Sequence, residues 1–453
     1  MPSPHSDLTA FSTSASRQGA LRWLWLAIGA LALAGLLAII LVAARTPKVQ
    51  QLFPDYDIFH TALVIHVDLS VLVWMLSITA FLWQMAFQGR RQLWMAINLI
   101  VAAFGVLTMF LSPFFAKGAP LMNNYVPIYH SPAFLVGLLL FLLGISSETL
   151  RFLLHFQRFT RVLDIPGLRT GLAASALMIT LAFLLIFLSY RELQLVRYLF
   201  EPEDYYELLF WSGGHILQYA YTQTMLVAWL IMYRALGFKQ PVPGSVMPIL
   251  FSLHLLITLP ALYVQWRMPI LEQPFHQLFT DHMRYGGGVI PIIVGVILLV
   301  GALRQRKMPI QYTPVKMALI SSVVLFAAGG LLGWRIEAID ATVPAHYHGS
   351  IVGITLALMG AAYALLPALG KASPSGKLAT LQPLLYGGGQ LLHIAGLAWS
   401  GGYGALRKTP GAMQSLEGQT AMGLMGLGGL LSVLGGLFFV IIMIRCLTSQ
   451  RKV

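Results

Sequence analysis

The stretch AHYHGSIVGITLALMGAAYALL, residues 345–366, places two histidines at the start of an apolar segment long enough to cross a membrane. On an α-helix, residues two positions apart point about 200° away from each other around the axis. His346 and His348 therefore cannot bind one ion together from a single face of the helix. Each can instead serve a different centre, one on either side of the helix.

The composition of the chain indicates a polytopic membrane protein. Of its 453 residues, 57% are hydrophobic and 10% are charged, a balance that soluble globular domains do not show. Cys446 is the single cysteine, which excludes intrachain disulfides, cysteine-based metal sites and a C-x-x-C-H haem attachment. The net charge of +13 is explained by basic residues that flank membrane spans, so it does not predict nucleic-acid binding.

Twelve apolar runs have the length of a transmembrane helix, which predicts an all-α bundle of twelve spans. They lie near residues 21–44, 58–86, 92–114, 128–150, 169–190, 206–235, 246–266, 283–303, 316–334, 346–368, 383–402 and 421–445. We expect residues 1–20 to form a cytoplasmic tail, residues 21–445 a single transmembrane domain and residues 446–453 a second cytoplasmic tail. Most basic residues then fall in cytoplasmic loops and most acidic residues in outer loops, so the positive-inside rule places both termini in the cytoplasm of a bacterial-type inner membrane.

With this orientation, histidines of several spans lie in one layer in the outer part of the membrane. His66, His215, His346 and His348 all fall near the outer ends of even-numbered spans. A single such histidine is usually an interfacial side chain, but buried polar groups in lipid are costly, and imidazole is the usual ligand of haem iron and copper. The layer therefore predicts a metal centre that joins spans 2, 6 and 10. Tyr219 lies one turn after His215, on the same face of the sixth span.

Three motifs resemble subunit I of the haem–copper oxidase superfamily: HYHGSIVGITLALMG in span 10, HVDLSVLVWML in span 2 and GGHILQY in span 6. This resemblance implies that His346 is the axial ligand of a high-spin haem, and that His66 and His348 bind a low-spin haem from its two sides. It also implies that His215 binds the active-site copper. Tyr219 occupies the position of a tyrosine that supplies a proton and an electron.

A fourth and weaker match is GGYGALRKTPG, after span 11. Arg407 and Lys408 fall where the family keeps a basic pair on the haem propionates, a role that suits their charge. The implied cofactors are two haems and a copper or other non-haem metal. Because the sequence carries neither a haem-attachment motif nor a cupredoxin segment, we expect a separate electron-donor subunit, either a cytochrome c or a copper-bearing protein.

The chain departs from the family in span 7, where two adjacent histidines would complete the copper site. This sequence reads LPALYVQWRMPI there, without a histidine. His276, Asp281 and His282, in FHQLFTDHMRYGGG, lie at the expected depth, but on the loop and at the start of span 8. Either they complete the metal site, or the copper site is altered or absent.

These features predict the catalytic subunit of a respiratory terminal oxidase, which passes electrons through a low-spin haem to a high-spin haem and metal centre and reduces dioxygen to water. Two alternatives stay open. The altered span 7 favours a nitric oxide reductase that forms nitrous oxide, whereas Tyr219 favours oxygen. A subunit that has lost its copper could instead bind haem without catalysis.

Overall fold

The computed structural model describes residues 14–44, 57–86, 92–156, 165–305, 313–336, 340–402 and 416–449. Most of these residues are helical, and each of the twelve predicted apolar runs overlaps one helix. The helices are α1 (Ser14–Ala44), α2 (Ile58–Met85), α3 (Gln92–Phe115), α4 (Pro132–Leu154), α5 (Leu168–Leu193), α6 (Pro202–Ala235), α7 (Val246–Arg267), α8 (Gln273–Arg304), α9 (Thr313–Trp334), α10 (Thr342–Leu369), α11 (Gly376–Gly402) and α12 (Leu416–Thr448).

Within the described residues, ten helices are long and apolar enough to cross a membrane, which confirms the prediction of an integral membrane protein. The two exceptions are α6 and α11. In α6, Thr222, Gln223 and Thr224 lower the apolar content, yet all three side chains are buried. A helix that is covered by protein does not need an apolar surface. The twelve crossings, their orientation and the single-domain boundaries stay predictions.

Among the helices that begin away from the start of their apolar run, α4 and α8 have a clear local cause. Helix α4 begins at Pro132 because Ser131 caps it, with its Oγ accepting from the Phe134 N–H at 3.3 Å. Helix α8 begins at Gln273, well before the apolar run at residue 283. Its first turns are amphipathic rather than apolar, so a search for hydrophobic length misses them.

Helices α2, α7 and α8 each change their geometry along their length. Helix α2 contains a π-helical turn, Asp68–Val73, a feature found mostly at functional sites. Helix α7 is interrupted at Leu259, between segments Val246–Thr258 and Pro260–Arg267, because proline lacks an N–H donor and its ring crowds the preceding turn. Helix α8 consists of Gln273–Gly286 and Val289–Arg304.

A short hairpin connects α3 to α4. Pro120–Leu121 pairs antiparallel with Ile128–Tyr129, in the register Pro120↔Tyr129 and Leu121↔Ile128. The Tyr129 hydroxyl also donates to the Ala116 carbonyl at 3.0 Å. We call residues 120–129 the α3–α4 hairpin; these contacts give it a defined conformation.

The chain divides into two compact units. The first contains α1 to α5, the first part of α6, α7 and the first part of α8, and in it α1 packs on α2, α3 on α4, and α5 on α7. The second contains the remainder of α6 and α8 together with α9 to α12, and in it α9 packs on α10 and α11 on α12. Gly349 of α10 lies so close to Gly329 of α9 that an added Cβ would come within 2.6 Å of its Cα, a contact that small residues permit in membrane bundles.

Candidate functional site

His66 lies in α2, two residues before the π-helical turn. Its Nδ1 is 2.8 Å from the Ala34 carbonyl oxygen of α1. Because a carbonyl oxygen only accepts, Nδ1 carries the proton, and Nε2 of the neutral ring carries the lone pair. The Ser70 hydroxyl, within the π turn, donates to the His66 carbonyl oxygen at 2.7 Å. The backbone of a neighbouring helix therefore determines the orientation and the tautomer of this imidazole.

His346 and His348 are oriented in the same way in the second unit, but by different carbonyl groups. His346 Nδ1 donates to the Gly329 oxygen of α9 at 2.7 Å. His348 Nδ1 donates to the Pro344 oxygen of its own helix at 2.8 Å. In both rings Nε2 carries the lone pair. His346 therefore faces α9, whereas His348 is hydrogen-bonded within its own helix.

Sequence reasoning missed His393 of α11. Its ring centroid lies 5.0 Å from that of His348, and its Nδ1 donates to the Met425 oxygen of α12 at 2.9 Å. The signal was present in the sequence, as a histidine within the eleventh apolar run. His393 therefore places a second imidazole next to that of His348.

The donor set of His66, His346 and His348 fits haem iron. An axial ligand needs an unprotonated ring nitrogen, and its other nitrogen usually donates to a carbonyl or carboxylate that sets the ring plane. Each of the three histidines meets both conditions. Each is also partly exposed, whereas Ile65, Ala345 and Gly349 beside them are buried.

His215 of α6 has partners on both ring nitrogens. Its Nδ1 donates to the Trp211 carbonyl oxygen at 2.8 Å, so Nε2 of the neutral ring is an acceptor. The Tyr125 hydroxyl, from the α3–α4 hairpin, lies 2.9 Å from Nε2 and donates to it. Tyr125 was not predicted, and no pattern in the sequence connects it to a residue in another span.

The glycines before His215 explain how these groups approach α6. Gly214 faces Tyr125, and a Cβ at position 214 would lie 2.2 Å from Tyr125 Cγ. Gly213 faces α5, and a Cβ there would lie 2.6 Å from the Ala182 oxygen. At these two glycines, a tyrosine ring and a helix backbone therefore approach α6 closely.

The other predicted metal ligands each have a different structural partner. His276 Nε2 donates to the Ile270 oxygen at 2.9 Å, His282 Nε2 donates to the Ile257 oxygen at 2.6 Å, and Asp281 accepts from Gln277 at 3.0 Å. Among the residues that the structure describes, no group of three or more His, Cys, Asp or Glu side chains is placed to hold a metal ion. The structure thus does not gather His215, His276, Asp281 and His282 into one ligand set, and a copper ion does not fit them as they stand.

Tyr219 lies in a second group of polar residues. Its hydroxyl donates to the His282 carbonyl oxygen at 2.8 Å, and its ring is 4.9 Å from the His282 ring and 5.6 Å from the His254 ring. His254 Nδ1 is hydrogen-bonded to Gln223 Oε1 at 2.8 Å. In the described part of the chain, His254 Nε2, Gln223 Nε2 and His282 Nδ1 are buried without a hydrogen-bond partner. Such a set of atoms is typical of a place where ordered water completes the hydrogen bonding.

A buried ion pair joins three helices of the first unit and was also missed. Glu148 and Arg151 of α4 are 0% and 2% exposed. Two arginine nitrogens donate to the carboxylate, at 2.6 Å and 3.0 Å. Gln84 of α2 and Asn98 of α3 donate to the same carboxylate at 2.5 Å and 3.0 Å. Arg407 and Lys408, the predicted propionate partners, lie outside the described residues.

Comparisons with known proteins agree with the resemblance seen in the motifs. The family model for cytochrome c and quinol oxidase polypeptide I matches residues 19–436. An uncharacterized protein of Rickettsia prowazekii (strain Madrid E) is 32% identical over 95% of this chain and 96% of its own length. An uncharacterized protein of Aquifex aeolicus (strain VF5) is 30% identical over 80% of this chain and 88% of its own length.

The fold is similar to that of a haem–copper terminal oxidase dimer solved by cryo-EM. The TM-score is 0.65 at 17% identity, over 97% of this chain and 85% of the other. The family match extends over nearly all the described helices. The chain therefore belongs to the cytochrome c and quinol oxidase polypeptide I family, that is, to subunit I of the haem–copper oxidases.

Proposed function

We propose that the chain is the catalytic subunit of a respiratory terminal oxidase that reduces dioxygen to water. His66 and His348 hold a low-spin haem, and His346 holds a high-spin haem. One observation carries this proposal: the His66 and His346 imidazoles donate from Nδ1 to a backbone carbonyl, so that Nε2 of each neutral ring carries the lone pair that would bind iron. When bound, the haems supply electron transfer and gas binding.

The contribution of the chain itself is to hold ligands and protons in place. The Ala34 and Gly329 carbonyls keep His66 and His346 in a single tautomer, so that no proton has to leave Nε2 before a haem is bound. The Tyr219 hydroxyl, held at 2.8 Å from the His282 oxygen, keeps a proton in the membrane that can be offered to a reduced substrate. Arg407 and Lys408 compensate the charge of the haem propionates.

The proposed topology has twelve crossings with both termini in the cytoplasm, which places the haem layer towards the outer side of the inner membrane. Electrons then arrive from a separate cytochrome c or copper-bearing subunit that docks on the outer surface. The acidic residues of the outer loops, Glu201, Glu203 and Asp204 among them, favour a basic donor.

Two other functions are each favoured by one observation. The altered seventh span, which reads LPALYVQWRMPI where the family has a histidine pair, favours reduction of nitric oxide to nitrous oxide on the same fold. The Tyr125 hydroxyl covers the acceptor nitrogen of His215, which favours a haem-binding subunit without catalysis. Both candidates keep the two haems.

The haem assignment is tested by optical spectroscopy of the purified protein and its variants. We expect one six-coordinate haem and one haem that binds carbon monoxide. His66→Ala should remove only the six-coordinate species, and His346→Ala only the species that binds carbon monoxide. His60→Ala, on the same helix as His66 but paired with Asp57, is the matched control and should change neither. Unchanged spectra in both ligand variants would contradict the assignment.

Gas consumption by the reduced, purified protein separates the three functions. We expect oxygen uptake that is lost in His346→Ala. Uptake of nitric oxide without uptake of oxygen would support the reductase. A protein that keeps both haems and consumes neither gas would support the non-catalytic subunit.

A further inference from the structure

We infer that position 215 of this chain holds a hydrogen-bonded tyrosine–histidine pair in place of copper, and that Tyr125 is the residue that builds it. The inference deepens the proposed function, since His215 is the residue that the resemblance assigns to copper. It does not depend on which gas is reduced. It makes Tyr125 a positioning residue for His215 and predicts a protein that contains haem without copper.

The His215 imidazole is hydrogen-bonded at both of its ring nitrogens. Nδ1 donates to the Trp211 oxygen at 2.8 Å, and Nε2 accepts from the Tyr125 hydroxyl at 2.9 Å. A neutral imidazole has one lone pair for a metal, and here the phenol occupies it. The side chain of His215 is 4% exposed, so a metal could bind only after the phenol had left a buried hydrogen bond.

Tyr125 is anchored because both of its chain neighbours are held by hydrogen bonds. The Asn124 backbone N–H donates to Glu207 Oε2 at 2.8 Å, and the Asn124 side-chain amide donates to Glu207 Oε1. On the other side, the Val126 N–H donates to Asn123 Oδ1 at 3.0 Å. The α3–α4 hairpin therefore delivers the tyrosine in one conformation.

One surface of α6 contacts the Tyr125 ring. Glu207, Trp211 and Gly214 follow one another at helical spacing and form a single stripe. Glu207 holds the hairpin, and the Trp211 ring lies 6.0 Å from the Tyr125 ring. At Gly214 a methyl group would overlap the tyrosine ring. This stripe is shaped for Tyr125, and a glycine is required where the ring lies.

Further metal ligands are not gathered around His215 in the described residues. His276 and His282 donate from Nε2 to the carbonyls of Ile270 and Ile257, so each keeps a lone pair on Nδ1. Among the described residues, however, no three His, Cys, Asp or Glu side chains are placed to hold a metal ion together. Even if Tyr125 moved away, His215 would offer one nitrogen, which is too few for a tightly held copper. The pair instead keeps a proton between Tyr125 Oη and His215 Nε2, where a copper complex would leave none.

Metal analysis of the full-length protein, purified from membranes of cells grown with added copper, tests the absence of copper. We expect iron equal to haem and less than about one tenth of a copper per chain. One copper or non-haem iron per chain that disappears in His215→Gln, but not in His60→Gln, would overturn the inference. The haem content is measured in the same sample, so a chain without haem would refute the proposed function and leave this inference standing.

Nitrogen NMR of the histidine-labelled protein, reduced and saturated with carbon monoxide, tests the pair directly. The unprotonated nitrogen of His215, identified by its loss in His215→Gln, should resonate as a hydrogen-bond acceptor. It should move to the position of a non-bonded imidazole in Tyr125→Phe. Tyr129→Phe is the matched control on the same hairpin, because that hydroxyl bonds to Ala116 instead. An unchanged resonance in Tyr125→Phe would overturn the assignment of Tyr125.

Discussion

Removing Arg151 should destabilise the protein strongly, since it leaves a carboxylate buried without its charge partner. Glu148 is fully buried and accepts four hydrogen bonds, of which Arg151 supplies two. Loss of one partner of a buried ion pair costs about 3–5 kcal/mol. The variant Arg151→Met keeps an unbranched side chain but removes the charge, so we expect it to lose that amount of unfolding free energy. The ratio of folded to unfolded protein then falls by roughly two to four orders of magnitude.

A double-mutant cycle separates the ion pair from the packing. In Glu148→Gln with Arg151→Met, both charges are absent, and the new amide oxygen can still accept from Gln84 or Asn98. We expect the double variant to be more stable than Arg151→Met alone, with a coupling energy of about 2 kcal/mol or more between the two positions.

The measurement is equilibrium unfolding in mixed detergent micelles, followed by tryptophan fluorescence. Trp83 contributes to this signal, and its ring stacks on Phe152 beside the ion pair, with ring centroids 5.4 Å apart. Arg169→Met, which removes an exposed cation over the Phe156 ring, is the control and should cost less than about 0.5 kcal/mol. A loss below about 1 kcal/mol for Arg151→Met, or effects at the two positions that simply add, would refute the reasoning.

Two further predictions follow from the histidines and glycines near the site. His348→Ala should abolish the six-coordinate haem spectrum, whereas His393→Ala should retain it; the reverse result would transfer the ligand role to His393, which is anchored equally well. Gly214→Ala should displace Tyr125, because the new methyl group would lie 2.2 Å from the tyrosine Cγ, and should reproduce the NMR shift of Tyr125→Phe. Gly423→Ala, where no atom lies within 4 Å of the added methyl, is the control; equal effects of the two glycine variants would contradict the packing argument.

The helices were predictable, but some of their ends were not. An apolar run long enough to span hydrocarbon is a property of consecutive residues, so its position can be read directly. The start of α8 at Gln273 depends on an amphipathic segment, and the start of α4 depends on the Ser131 cap. Neither feature changes the hydrophobic length of its run.

The predicted histidine layer and the motifs gave candidate haem ligands, but they gave no information about the neighbours of those residues. Tyr125 meets His215 from 90 residues away in the chain, and Gln84 meets Glu148 from 64 residues away. A contact between residues so far apart in the chain produces no periodic pattern that could be recognised in the sequence. The predicted grouping of His276 and His282 with His215 assumed that equal depth brings side chains together, and depth does not specify which way a ring points.

By itself, the sequence determined that this chain is a helical membrane protein, because hydrocarbon admits only backbones that satisfy their own hydrogen bonds within one continuous segment. It also predicted imidazoles at one depth of the bilayer. Only the tertiary structure decided which atom each imidazole meets: Ala34 and Gly329 carbonyls for His66 and His346, and a tyrosine hydroxyl for His215. A hydrogen bond forms over about 3 Å, and segments from distant parts of the chain reach that separation only when the helices have packed.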